Sequence, residues 1–180
     1  MVPDNWEERF APGARLNFTP SPLLVEAAEL LAPGRALDLA CGAGRNAIYL
    51  ASLGWSVLAV DSSPAALGIL RERAAAGGLR IDARQADLEG GEFAIEPASF
   101  DLICDFLYLQ RNLFPQIREG LRPGGLFAAE ILVRDAQPHR FALEPGELRE
   151  EFAGWKILYY SEAARAGQKR PSARILARRA

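Results

Sequence analysis

The segment 36-ALDLACGAGRNAIYL-50 joins an apolar run to a helical pattern through a turn with glycines at 42 and 44. Ala36 to Ala40 reads as a strand, because a short continuous apolar run is what a strand covered on both faces requires. From Arg45 to Leu53 the apolar residues recur at helical spacing. Gly42 and Gly44 remove side chains so that backbone can approach a ligand, and Ala47 takes the small third position of a dinucleotide-type fingerprint. Strand, glycine turn and helix in that order make one βα unit of a parallel sheet. In such sheets the ligand crevice lies beyond the carboxyl ends of the strands, where the winding reverses.

The same alternation continues in both directions along the chain. Strands read at Ser56 to Val60, Arg80 to Ala86, Phe100 to Asp105 and Gly125 to Leu132, with helices at 22 to 32, Pro64 to Ala76 and about Leu113 to Leu121. This predicts a doubly wound α/β sheet of Rossmann-like type with helices on both faces. The tail differs. "ELREEFAGWKILYYSE" (147–162) reads as a short helix, a turn at Gly154 and a strand, and "RPSARILARR" (170–179) as one more strand. The link between them is too short for a crossover helix, which predicts an antiparallel hairpin at the sheet edge.

A chain of 180 residues, 49% apolar and 24% charged, predicts one soluble domain over 1–180, with 1–21 as an N-terminal lid segment and 22–180 as the core. The net charge of -2 supplies no basic field, so nucleic acid is not expected as a partner. Arg165, Lys169, Arg170, Arg174, Arg178 and Arg179 are instead expected to guard an exposed sheet edge. The start "MVPDNWEERF" has no signal-peptide core, and no apolar run approaches the ~20 residues that span a bilayer, which predicts a cytoplasmic protein without membrane contact. Cys41 and Cys104 are too few for a disulfide framework and form no metal-ligand spacing with the single His139. Two buried free thiols and no metal are expected.

Asp61 falls 19 residues beyond Gly42, where a carboxylate at a strand end can accept hydrogen bonds from both ribose hydroxyls. That much suits a nicotinamide cofactor. Asp38 argues otherwise, since a carboxylate leading into the turn would face a pyrophosphate at short range. S-adenosylmethionine carries no phosphate and presents a sulfonium and an ammonium, which an anion at Asp38 attracts. Asp87, in "RQADLEG", could then accept from an adenine amino group, with Leu88 supplying apolar contact. Each carboxylate also has a local structural use: Asp38 as a helix cap, Asp61 as the cap of the helix at Pro64, and Asp87 as a turn former.

On these motifs the chain resembles the class I S-adenosylmethionine-dependent methyltransferases. "LDLACGAGRNA" (37–47) is similar to their glycine motif, "VLAVDSS" (57–63) to the ribose motif and "QADLE" (85–89) to the adenine motif, with "FDLICDFLYL" (100–109) and "LRPGGLFAAEIL" (121–132) as the fourth and fifth strands. "GAGRNAIYLASLGWSVLAVDSS" and "LEPGELREEFAGWKILYYSE" are similar to the tellurite-resistance group and related small bacterial methyltransferases. The resemblance implies a seven-stranded sheet, mostly parallel with its last strand antiparallel. It implies cofactor contacts at Asp38, Ala40, Gly42, Gly44, Asn46, Asp61, Ser62, Asp87, Leu88 and Asp105. The chain departs from the tellurite group after Glu162, where a long polar segment with a histidine is replaced by the short "AARAGQKR".

The acceptor is expected to be a small molecule, because no inserted domain interrupts the strands. Asp105, Tyr108 and Arg111 after the fourth strand, and Glu130, Arg134 and His139 around the fifth, are the candidate groups at its mouth. The fourth strand runs into "CDFLY" instead of the Asn/Asp-Pro-Pro-aromatic motif of methyltransferases acting on nucleobase or glutamine amino groups. Trp6, Phe10 and Phe18, with Arg9 and Arg15, could fold over the cleft. A monomer or homodimer is expected. The alternatives are a nicotinamide-dependent oxidoreductase and a cofactor-binding protein without catalysis.

Overall fold

A computed structural model describes residues 6–136, 140–164 and 170–180. Its sheet contains β1 (Arg35–Leu39), β2 (Ser56–Asp61), β3 (Ile81–Gln85), β4 (Phe100–Phe106), β5 (Leu121–Leu132), β6 (Lys156–Ala163) and β7 (Ser172–Arg178). They lie in the order β3-β2-β1-β4-β5-β7-β6. β7 is antiparallel to β5 on one side and to β6 on the other, so it is the one reversed strand. The helices are α1 (Pro22–Glu29), α2 (Arg45–Ser52), α3 (Pro64–Ala76), α4 (Leu113–Gly120) and α5 (Glu147–Glu151), preceded by a 3-10 turn at Trp6–Phe10.

The central strands β1, β2, β4 and β5 read as largely apolar runs because both faces are covered, and their side chains alternate between two cores. Leu37, Leu39, Ile103, Phe127 and Ile131 pack with Phe114 and Ile117 of α4, Leu148 of α5 and Phe152. Ala36, Val57, Ala59, Leu102 and Ala128 pack on the other face with Leu23 and Leu24 of α1, Leu50 of α2, and Leu67 and Leu70 of α3. Phe152 centres the first core, stacked on Phe127 at 4.7 Å and edge-on to Phe114 at 6.0 Å. The helices before β3 thus lie on one face and those after β4 on the other. The winding reverses between β1 and β4, and the ends of these two strands open a crevice.

Three expectations change. β1 stops at Leu39 because Ala40 turns into the left-handed region at φ 48°. β5 starts at Leu121, four residues early, pairing with Phe100 through a register irregularity before the ladder resumes at Leu126. The arginines of β7 guard no edge, since β7 lies inside the sheet and β6 takes the edge. Arg174 Nη2 donates to Ser161 Oγ at 3.1 Å, and Arg179 Nη1 donates to the Glu119 carbonyl at 3.0 Å, where α4 ends. Arg165 and Lys169 lie outside the described residues. No helix among the described residues is long and apolar enough to cross a membrane.

Candidate active site

The crevice is a cavity of about 390 Å³ over the carboxyl ends of β1, β2 and β4, in the size range of small-molecule sites. Of the residues expected from the sequence to contact a cofactor, Asp38, Ala40, Gly42, Asn46, Asp61, Ser62, Asp87 and Leu88 line it. Gly44 and Asp105 do not. A β-carbon on Gly44 would stand 2.6 Å from Leu70 Cγ and Cδ1, so the missing side chain there lets α2 pack on α3. Asp105 is buried behind the wall, on the α4 side of the sheet.

The turn is held by carboxylates and by one arginine. Asp38 Oδ2 accepts the Ala47 N–H in the first turn of α2 at 3.1 Å, while Oδ1 accepts the Cys104 thiol at 3.3 Å. Asp61 Oδ2 accepts the Gly42 N–H at 2.7 Å, and Oδ1 accepts the Ser63 N–H at 2.9 Å. The cap of α3 is Ser63, whose Oγ accepts the Ala66 N–H at 3.0 Å, and not Asp61. Arg73 of α3 donates to the Ala43 carbonyl at 2.9 Å and stacks on the Phe18 ring at 3.9 Å. Asp87 Oδ1 accepts the Glu89 N–H at 2.8 Å in a local turn. Asn46 Oδ1 accepts the Ser21 N–H at 2.9 Å and seats the start of α1. Asp38 and Asp87 thus have the local partners of a structural role, while each Asp61 oxygen takes one donor and retains a lone pair for a ligand hydroxyl.

Burial, the dominant cause, pushes Asp38 up to about 7, against the Cys104 and Ala47 hydrogen bonds and the Arg45 charge that favour its anion. Burial likewise raises Asp61, and it raises Asp105 well above the carboxylate range, with the Asp38 charge adding to the effect. The sequence reading of Asp38 as a standing anion therefore needs amendment. In the free protein it shares a proton near neutrality, and a cation would complete its ionisation. Cys41 and Cys104 are both free and buried, and burial raises both thiols. No group of three or more metal-ligating side chains occurs among the described residues.

The N-terminal segment does reach the cleft. Arg9, Phe10 and Arg15 line the cavity, and a β-carbon on Gly42 would meet Phe10 Cζ at 3.2 Å. Phe18 instead lies outside, stacked on Arg73. Phe10→Ala should weaken S-adenosylhomocysteine binding by about 1 kcal/mol, roughly fivefold, through lost apolar contact, and calorimetric titration checks it.

Of the acceptor candidates among the described residues, only Tyr108 lines the cavity. Arg111 donates to both oxygens of Glu147, at 2.5 and 2.8 Å, because α5 presents that carboxylate beside it. Arg134 pairs with Glu144 at 3.0 Å. Glu130 is buried and accepts the Ser172 hydroxyl at 2.8 Å. His139 lies outside the described residues. Residues the sequence did not single out are Arg45, Arg73, Phe106 and Leu107. Only Arg45, first in α2 and next to the glycines, carried a readable signal.

The model of the family "Tellurite resistance protein TehB" matches residues 14–170. The chain belongs to the TehB family. This is a group of class I S-adenosylmethionine-dependent methyltransferases. Hemagglutinin 1 of Eikenella corrodens is 33% identical over 147 residues, covering 77% of this chain and 49% of the relative. The probable S-adenosyl-L-methionine-dependent methyltransferase TehB of Haemophilus influenzae is 30% identical over 151 residues, covering 77% and 52%. The chain thus spans about half the length of these two curated relatives. The crystal structure of TehB from Haemophilus influenzae superposes with a TM-score of 0.75 at 25% identity, over 87% of this chain and 61% of that one. A Burkholderia thailandensis 1,6-didemethyltoxoflavin-N1-methyltransferase shares the fold at a TM-score of 0.67 and 21% identity, over 88% and 76%.

Proposed function

We propose that this TehB-family chain transfers a methyl group from S-adenosylmethionine to a small-molecule acceptor in the cytoplasm. The observation that carries the choice of cofactor is the Asp38 bond to the Ala47 N–H. A diphosphate cofactor docks its pyrophosphate on the free amides of the helix after the glycine turn. Here a buried acid already occupies one of those amides, and a diphosphate would meet a carboxyl group instead of open donors. A cationic ligand gains from the same arrangement. The lone pairs left on Asp61 suit two ribose hydroxyls, Asp87 and Leu88 suit the adenine, and Gly42 lets backbone approach.

When bound, the sulfonium supplies an electrophilic methyl, and the chain's own work is to hold nucleophile, carbon and sulfur in line. A cavity of about 390 Å³, edged by the 3-10 turn and short loops, suits a small acceptor. Titration with S-adenosylhomocysteine and with NADH tests the cofactor: a response to NADH alone would hand the site to hydride transfer. Turnover of a panel of thiols, amines, hydroxyls and metalloid oxyanions separates an enzyme from a binding protein.

Asp61→Ala should weaken S-adenosylhomocysteine binding by about 1 to 3 kcal/mol through lost charge-assisted hydrogen bonds. Unchanged affinity in calorimetry would remove Asp61 from the site.

A further inference from the structure

Arg15, Leu16 and Asn17 line the cavity from a stretch that forms neither helix nor strand. Among the described residues, no hydrogen bond joins 15–20 to the body of the chain; the Thr19 N–H donates to Asn17 Oδ1 at 2.9 Å, within the stretch itself. A segment so lightly held opens easily. Side chains fix it instead. Upstream, Phe10 abuts Gly42, and downstream the Ser21 N–H donates to Asn46. Next to the three lining residues, the Phe18 ring rests on Arg73 of α3, whose guanidinium carbon lies 3.9 Å from the ring centre. The ring is 44% exposed and belongs to neither core.

Arg73 has a second contact, from Nη1 to the Ala43 carbonyl at 2.9 Å. The turn itself explains why that carbonyl needs a donor. In a regular helix start the Ala47 N–H would close onto it, but that amide goes to Asp38 Oδ2 at 3.1 Å, while the next one, Ile48, bonds the Gly44 carbonyl at 2.9 Å in the ordinary way. Asp38 thus diverts the amide, and Arg73 satisfies the carbonyl left behind. Ala43 lines the cavity between Gly42 at φ 53° and Gly44 at φ 76°, glycines whose freedom leaves its peptide to be set from outside. Arg73 and Phe18 themselves lie outside the cavity wall. One guanidinium therefore joins the segment on one side of the cavity to the turn on the other.

We propose that Arg73 is a positioning residue of the cofactor site, clasping the N-terminal segment through Phe18 and holding the glycine turn through Ala43, so that both walls come into place together. This rests on the methyl-transfer reading and adds to it a residue that acts on the cofactor without touching it. A ligand that needs both walls binds in proportion to the fraction of molecules in which the segment is closed. An exposed contact between a cation and a ring shifts such a balance roughly two- to fivefold. Lysine cannot replace arginine here, because a single ammonium cannot sit over the ring and donate to the carbonyl at once.

The test joins limited trypsin digestion to calorimetric titration with S-adenosylhomocysteine. Arg15 is exposed within the segment, and cleavage after it follows the population of the opened form. In the wild type, S-adenosylhomocysteine should slow that cut. Arg73→Lys and Phe18→Leu should each speed it roughly two- to fivefold without ligand and weaken S-adenosylhomocysteine binding by a similar factor. Phe18→Tyr, which keeps the ring, should restore both. The double variant should be no worse than Arg73→Lys alone, because the two changes break one contact. Unchanged affinity in both single variants overturns the proposal. So does a loss in Arg73→Lys alone, which would confine the arginine to the turn, and so does a double variant equal to the product of the two singles. A fall of more than about 2 °C in the ligand-free melting temperature of Phe18→Leu also overturns it, since the ring would then belong to the fold. A wild-type protein that does not bind S-adenosylhomocysteine overturns the methyl-transfer reading; one that binds it with no change in cleavage after Arg15 overturns this inference alone.

Discussion

Gly44→Val is expected to lower the unfolding free energy by about 3 to 5 kcal/mol, a large fraction of the roughly 5–15 kcal/mol typical of a folded domain. Two costs coincide at that position. Gly44 holds φ 76° at the cap of α2, where a β-branched residue is strained by about 1–3 kcal/mol. Its new β-carbon would also press on Leu70 Cγ and Cδ1 from 2.6 Å. Leu70 is fully buried in the core between α3 and the sheet, so it has little room to yield. Overpacking of this kind costs about 1–3 kcal/mol more. Denaturant titration followed by circular dichroism measures the loss. Pairing Gly44→Ala with Leu70→Ala should give less than the sum of the single effects, because the smaller partner relieves the clash and leaves only the backbone strain. A valine variant with the wild-type midpoint would mean that α2 and α3 are not packed through this glycine.

The second large effect is on affinity against pH. Burial places the Asp38 carboxyl at about 7 in the ligand-free protein, and a sulfonium and ammonium nearby would pull that value down. Binding then expels a proton below pH 7. The dissociation constant of S-adenosylmethionine should fall by up to tenfold for each unit between about pH 5 and 7, and level off above. Across that window the change is at most about fiftyfold. The sign is opposite for the ligand-free fold: a carboxyl raised above its unfolded value contributes stability that is complete below about pH 4 and is lost as pH rises through about 7. The ligand should therefore protect against heat most strongly where the free protein is weakest. Asp38→Asn should flatten the affinity profile, and a slope that survives the substitution would assign the proton to another group.

Much of this was legible in the sequence for identifiable reasons. α3 was read at its true ends because Ser63 and Pro64 announce its start and Gly77 its stop. β2 and β4 are legible because burial on both faces leaves largely apolar runs, whereas β3, IDARQ, is mostly exposed. The early start of β5 was hidden by Pro123 and Gly124, residues that normally break a strand. The left-handed turns at Ala40 and Leu107 had no signal, since neither residue favours that conformation and only tertiary hydrogen bonds impose it. At Gly44 spacing says that the residue is small without saying whether ligand or leucine fills the space. Asp38 was recognised as the telling residue, but its proton could not be, because sequence does not report desolvation.

The place of β7 also bears on how the chain is made. β6 leaves the ribosome first, yet its only neighbour in the finished sheet is the strand synthesised after it. Until residues 172–178 emerge, β6 exposes two bare edges and β5 exposes one. A nascent molecule paused there is open to wrong pairing with its neighbours. Synonymous codons that slow translation between β6 and β7 should therefore favour aggregation more than the same delay placed between β1 and β2.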